Sequence, residues 1–248
     1  MRRSWIVLLL ALVFLFGGIL AGCGPAKGTA EWHFDQAKML ADQGRYDEAI
    51  ANYTKAIELD PNNAVAYYNR AEAYVNKGQY DLAISDGNKA IELDPNSAKA
   101  YSNRAAAYLN KGQHDLAIAD CNKAIDLDPN LAMAYVHRAW AYGIKGQYDL
   151  AIADWTKAIE LNPNMAEAYV HRAFAYLNKG QYDLAISDGN KAIELDPNDA
   201  EAYLLRALVY KEQGKKAEAI ADFEKSITLT DNPQWIQMVR QEIEELSK

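Results

Sequence analysis

The sequence has very few cysteines. Among 248 residues only Cys23 and Cys121 occur, so at most one disulfide could form and a disulfide scaffold is excluded. It also lacks a basic excess: 26 Lys and Arg stand against 34 Asp and Glu, a formal net charge of −8. Phosphate contacts come mainly from Lys and Arg, so the footprint of a general nucleic-acid binder is missing and no nucleic-acid partner is expected. There is no phosphate loop, nucleophile elbow, metalloprotease helix or dinucleotide fingerprint. The chain therefore reads as a binding protein and not an enzyme, with no cofactor and no metal expected. What it does have is tyrosine, 16 residues of it, in a composition that is half apolar and hence globular.

Residues 1–22 read as an address. Arg2 and Arg3 precede an uncharged apolar run from Trp5 to Ala21, the n-region and h-region of a secretory signal. That run also sits at the lower limit for a membrane span of about 17 to 25 residues, which leaves an uncleaved N-terminal anchor as the alternative. At its end Leu20-Ala21-Gly22-Cys23 resembles the bacterial lipobox. The resemblance implies cleavage before Cys23, which becomes the lipidated first residue, with acyl chains enough for stable anchoring. Cleavage removes Arg2 and Arg3 and takes the formal charge from −8 to −10, so lipid and not a polybasic patch would hold the protein at the membrane. Gly24 after the cysteine resembles lipoproteins sorted to an outer membrane. The expected location is thus the periplasmic face of the outer membrane, or the cytoplasmic membrane where a cell has only one. Residues 23–29 form the lipidated cysteine and a short tether, whose reach at about 3.3 to 3.6 Å per residue is roughly 20 Å.

The rest is periodic. Tyr67, Tyr101, Tyr135, Tyr169 and Tyr203 recur every 34 residues, and the same step relates Gly44, Gly78, Gly112, Gly146, Gly180 and Gly214. Self-similarity at this period means stacked units. Six blocks fill residues 30–63, 64–97, 98–131, 132–165, 166–199 and 200–233, and residues 76–96 recur unchanged as 178–198. Within a block, Tyr67, Ala71 and Tyr74 make one helical stripe ending near Gly78. Tyr80, Ala83, Ile84, Gly87, Ala90 and Ile91 make a second. Asp94-Pro95-Asn96 ends it, because proline cannot continue the hydrogen-bond ladder. Each block is a helical hairpin that cannot bury both stripes alone, so the blocks must stack into a solenoid.

The pattern of aromatic, small residue, Tyr, Gly, Tyr, Ala, then Ala and Pro at fixed offsets resembles the tetratricopeptide repeat family over residues 30–233. The resemblance implies an all-α fold, a right-handed α-α superhelix of six hairpins. Residues 234–248 are expected to add a capping helix, with Trp235, Val239, Ile243 and Leu246 on one side. Local departures are Gln36, Lys216 and the displaced Pro of Thr230-Asp231-Asn232-Pro233.

Six internal copies permit a comparison within the chain. Position 7 of the block is Arg70, Arg104, Arg138, Arg172 and Arg206 in blocks two to six, and position 23 is Asp86, Asp120, Asp154, Asp188 and Asp222. Block one loses both charges together, as Gln36 and Asn52, which predicts structural ion pairs between the helices of each hairpin and not an anion site. The family's ligand contacts come mainly from first-helix positions 2, 5, 6, 9, 12 and 13, and these vary most here. Blocks one to three supply Asp35, Lys38, Asn69, Glu72, Asn76, Lys99, Asn103 and Asn110, a polar stretch suited to an extended peptide backbone. Blocks four to six supply Val136, His137, Trp140, Ile144, Val170, His171, Phe174, Leu177, Asn178, Leu204, Leu205 and Leu208, an apolar and aromatic stretch suited to partner hot spots. The C-terminal helix or a second copy of the chain could instead cover it.

Chaperone-binding members of the family use a carboxylate clamp, of which only Asn69 and Lys99 match, so that activity is not transferred. His137 and His171 stand on neighbouring helices, about 8 to 10 Å apart, without an obvious third ligand, and are expected to serve hydrogen bonding and not a metal. Cys121 is expected to be a buried thiol and His114 a packing variant of Tyr. The whole implies a membrane-anchored extracytoplasmic scaffold that binds a peptide or protein in its concave groove, in envelope or pilus-type assembly. The alternatives are a self-associating structural homo-oligomer, or an enzyme with a site around His137, Trp140 and His171.

Overall fold

A computed structural model describes residues 24–248. The secretory-signal and lipobox readings, Cys23 included, lie outside those residues. Thirteen helices follow one another among the described residues, two to each 34-residue block and one more at the end. They are α1 (Ala30–Asp42), α2 (Tyr46–Leu59), α3 (Ala64–Asn76), α4 (Tyr80–Leu93), α5 (Ala98–Asn110), α6 (His114–Leu127), α7 (Ala132–Ile144), α8 (Tyr148–Leu161), α9 (Ala166–Asn178), α10 (Tyr182–Leu195), α11 (Ala200–Glu212), α12 (Lys216–Thr228) and α13 (Pro233–Ser247). None of the described helices is long and apolar enough to cross a membrane.

Local chemistry sets the helix ends. Thr29, Asn63, Ser97 and Asp199 cap first helices by accepting a backbone N–H with the side chain, whereas Leu131 and Met165 precede α7 and α9 without one. The turn inside each hairpin needs a left-handed residue, which Gly78 supplies at φ 70°. Second helices such as α4 stop before Asp-Pro-Asn, where Asp94 Oδ1 accepts from the backbone of Asn96.

The helices of each hairpin pack on one another, and each second helix packs on the first helix of the next block. Close approach is bought with small side chains: Ala71, Ala83, Ala105, Ala117, Ala139 and Ala151 are fully buried. Position 24 adjusts the gap from block to block. It holds Tyr53, Gly87, Cys121, Trp155, Gly189 and Phe223. A Cβ on Gly87 would sit 3.0 Å from the Cβ of Arg104, so glycine there lets α5 approach.

At the far end α13 packs on α12. Asn232 caps it, Pro233 fills its first turn, and Val239 is fully buried beside Phe223, with Trp235, Ile243 and Leu246 around them. Leu204 and Leu208 of α11 join the same cluster. An ion pair between Lys211 and Glu242 ties α11 to α13.

Candidate partner-binding groove

The repeated charges form a ladder inside the solenoid. Arg70 donates from Nε and Nη2 to both oxygens of Asp86 at 2.7 and 2.8 Å, and the other four pairs repeat this two-pronged geometry within 2.6 to 2.8 Å. A third contact reaches the preceding block: Nη1 donates to Thr54 Oγ1, Asn88 Oδ1, Asn122 Oδ1, Thr156 Oγ1 and Asn190 Oδ1 in turn. Sequence comparison missed this contact, although position 25 carries an oxygen acceptor in blocks one to five and Glu224 in the last, which no later Arg follows. The Arg70 guanidinium also lies 5.6 and 5.8 Å from the Tyr67 and Tyr74 ring centres. Hydrogen bonding to Asp120 raises the Arg104 pKa above its ordinary value against the opposing effect of burial. In block one, His33 Nδ1 meets Asn52 Oδ1 at 3.0 Å in place of an ion pair. The arginines are thus occupied by protein on every side and offer no anion site.

Outside this ladder a second one links successive blocks, as Lys77 to Asp47 at 2.9 Å, then Lys111–Asp81, Lys145–Asp115 and Lys179–Asp149. Its aspartates are exposed, so solvent screens each pair.

The first helices of the N-terminal half enclose an open cavity of about 380 Å³, lined by Phe34, Lys38, Tyr68, Asn69, Glu72, Lys99 and Asn103, with Leu131 and Met133 at its far end. Of the expected asparagines Asn69 and Asn103 line this cavity, Asn76 borders neighbouring clefts and Asn110 none of these, and all four are held from below. Asn69, Asn76 and Asn110 each donate to the carbonyl one turn back, of Val65, Glu72 and Ala106, and Asn103 donates across to Tyr68 O at 3.1 Å. This bracing fixes the amide planes and leaves Oδ1 of Asn69, Asn76 and Asn110 to accept N–H groups from a ligand. Lys38 and Lys99 lie on either side of Glu72 in the first-helix order, so charges of both signs line the cavity.

The C-terminal half differs. Trp140, Ile144 and Phe174 are 37%, 55% and 49% exposed, high values for large apolar side chains on a folded surface. They border a smaller cavity of about 120 Å³, with Trp155 of α8 almost wholly buried at its base. The His171 ring lies 4.2 Å from the Trp140 ring and stacks on Trp155 at 5.3 Å, and its Nε2 faces Glu167 at 3.5 Å. That bond holds the Glu167 carboxyl below its usual pKa. Asn178 donates to Phe174 O and braces the end of α9.

Several expected groove residues are placed differently. His137 is half-buried, with Nδ1 3.2 Å from the hydroxyl of the buried Ser102, and burial pushes its imidazole down to about 4. Its ring joins adjacent first helices and still borders a cleft with Asn103 and Met133. Leu205 is only 4% exposed and belongs to the core shared with Val170 and Val209, because a leucine at position 6 gains by turning inward where Asn or His at that position cannot. Leu208 is half-buried in the cluster that α13 closes, so it is lost to the groove for a second reason. Val136 and Val170 are buried as well, and Leu177 packs half-buried against the core. The capping helix thus covers the α11 end and leaves Trp140, Ile144 and Phe174 uncovered.

Of the remaining chemical candidates, Cys121 is fully buried, and burial pushes its thiol pKa up and away from reactivity. His114 has a buried Nδ1 without a hydrogen-bond partner. Among the described residues no group of three or more His, Cys, Asp or Glu is placed to hold a metal ion.

Comparison with known proteins gives a consistent answer. Models of the TPR repeat match residues 37–78, 71–112, 141–180 and 175–214. Models of the tetratricopeptide repeat match residues 98–131, 121–153 and 200–233. No curated protein sequence is a significant match. Among solved structures, YrrB, described as a TPR protein with an unusual peptide-binding site, is 25% identical with a TM-score of 0.60, over 76% of this chain and 97% of its own. MamA is 30% identical with a TM-score of 0.55, over 69% of this chain and 94% of its own. Pseudomonas aeruginosa pilF is 17% identical with a TM-score of 0.73, over 86% and 97%, a likeness of fold alone. With family models running without a gap from residue 37 to residue 233, this chain belongs to the tetratricopeptide repeat family.

Proposed function

We propose that the protein is a recruitment scaffold, anchored by lipid at Cys23 on the extracytoplasmic side of a bacterial membrane, whose concave groove binds an extended segment of a partner protein in envelope or pilus-type assembly. One observation carries the binding reading. The residues that recur from block to block form the ladder and the core, while those that differ line two cavities, one polar and braced, the other apolar and exposed. Such a division gives main-chain hydrogen bonding at one end and side-chain anchoring at the other. YrrB, described by its peptide-binding site, supports the same use of the fold. The lipobox and the short tether support a position close to the bilayer.

A second reading rests on the outer surface. Leu82, Leu116, Leu150 and Leu184 occupy position 19 of blocks two to five and are each about half exposed, whereas the end blocks carry Glu48 and Glu218 there. A row of this kind suits contact with a second copy. Concentration-dependent sedimentation of the full chain would favour it.

The recruitment reading is tested by a photo-crosslinking residue at position 140 of the full chain in its source cell, with Cys23 intact or replaced by Ser. The expected result is one dominant envelope-protein adduct that falls when Cys23→Ser leaves the chain unprocessed and off its membrane. Adducts only with its own chain would refute recruitment through the groove. Membrane retention and processing unchanged in Cys23→Ser would refute the anchor.

A further inference from the structure

Position 12 of the first helix is Val75, Leu109 and Leu177 in blocks two, three and five, each packed half-buried against the core. In block four it is Gly143. This glycine has no conformational reason to be there: it is not among the residues of positive φ, and a Cβ built on it meets nothing within 4 Å. Glycine within a helix is less stable than leucine, and here it leaves space where its neighbours place a side chain. That space is the 120 Å³ cavity, with Trp140 and Phe174 as walls and Trp155 as base.

We infer that this cavity is a socket for one large apolar side chain, Leu or Phe, of an extended partner peptide carrying Lys or Arg beside that residue; the inference rests on the recruitment reading above and names its specificity. Size argues first. The cavity is well short of the roughly 300 to 1,000 Å³ of a small-molecule site, and close to the ~150 Å³ apolar cavity that takes up benzene. Chemistry argues second. The lining is aromatic and aliphatic apart from the edge of His171, so a polar side chain entering it would lose its hydrogen bonds to water.

Charge argues for the flanks. Glu167 stands beside the socket one helix turn before His171, with its carboxylate 3.5 Å from His171 Nε2. Lys211, the basic residue at position 12 of the last block, is already paired with Glu242. Glu167 thus puts a carboxylate beside the socket, and a basic residue next to the apolar anchor complements it. The polar cavity of the N-terminal half then receives the main chain.

The test uses fluorescein-labelled synthetic peptides of about twelve residues in a Gly, Ser and Asn frame. Their central residue is Leu, Phe or Ala and their flanks are Lys or Glu, and binding to the full chain is read by fluorescence anisotropy. Burying one such side chain should make Leu- and Phe-centred, Lys-flanked peptides bind at least about tenfold tighter than the Ala-centred ones. G143L fills the socket without meeting backbone, and should abolish that preference in a chain that melts no lower than the original. G143A should reduce the preference only in part. Equal binding of all centres, or a preference that survives G143L, overturns the socket and leaves the groove standing. Glu-flanked peptides binding as tightly as Lys-flanked ones overturn the charge assignment. Failure of every peptide to bind overturns both the socket and the recruitment reading.

Discussion

Replacing Arg138 by Gln and Asp154 by Asn, singly and together, tests the ladder, because block one already carries Gln36 and Asn52 at these positions. The two side chains are 19% and 8% exposed and share two bonds of 2.7 Å, so the pair is largely out of water. Breaking a buried pair by removing one partner costs about 3 to 5 kcal/mol. The neutral replacements keep some hydrogen bonding and the Arg138 end is partly wetted, which lowers the expectation to about 2 to 3 kcal/mol for each single change. The double change leaves no uncompensated charge, so it should cost less than the sum, with a coupling of about 2 kcal/mol. Urea unfolding of the full chain, followed by far-ultraviolet circular dichroism, measures all four forms. An unchanged slope with denaturant is required for the comparison, since neighbouring blocks share their interface energy. Single costs below about 0.5 kcal/mol, or strictly additive costs, would refute the reasoning that the shared charges exist to hold hairpins together.

Other expectations follow from the same structure. Leu131 precedes α7 with φ −76° and ψ 88°, nearly the backbone of the capping Asn63, so Leu131→Asn should add about 1 kcal/mol and raise the melting temperature by about 2 to 4 °C. Val239→Asp puts a charge into the fully buried contact between α12 and α13, and should detach the capping helix, read as dye binding to the exposed cluster around Phe223. The His137 pKa is held near 4 when folded and returns to about 6.5 when unfolded. The unfolded chain therefore takes up the proton first, and stability should fall as pH drops from about 6.5 toward 4. His137→Asn, the residue type of Asn69 and Asn103, should flatten the melting-temperature difference between neutral and acidic buffer.

The parts of the fold that repeat were legible because six copies in one chain separate what every block needs from what only some have. The period gave the hairpins, and the joint loss at Gln36 and Asn52 gave the Arg–Asp partners. The third bond of each arginine escaped notice because Thr54 and Asn88 look unrelated as residue types, though both present an oxygen to the same Nη1. The groove was less legible. Position 6 faces the concave side when it is Asn, but Leu205 at that position turns into the core, an outcome fixed by the neighbours Val170 and Val209 and not by position. The shielding of Leu208 depends on where α13 lands. The socket at Gly143 was invisible for a similar reason. The missing side chain can be read from position 12, but its floor comes from Trp155, on the other helix of the hairpin.

The central claim is that repeated positions build the scaffold and varied concave positions bind. It is tested most directly by giving block four the exposed groove residues of block three: Met133→Lys, Trp140→Ala, Gly143→Leu and Ile144→Asn, as in Lys99, Ala106, Leu109 and Asn110. A photo-crosslinking residue at position 174 then reports the partner in the source cell, beside a melting curve of the purified chain. The account predicts that the adduct formed in the original protein disappears while the melting temperature stays the same or rises. An undiminished adduct from the grafted chain would contradict it.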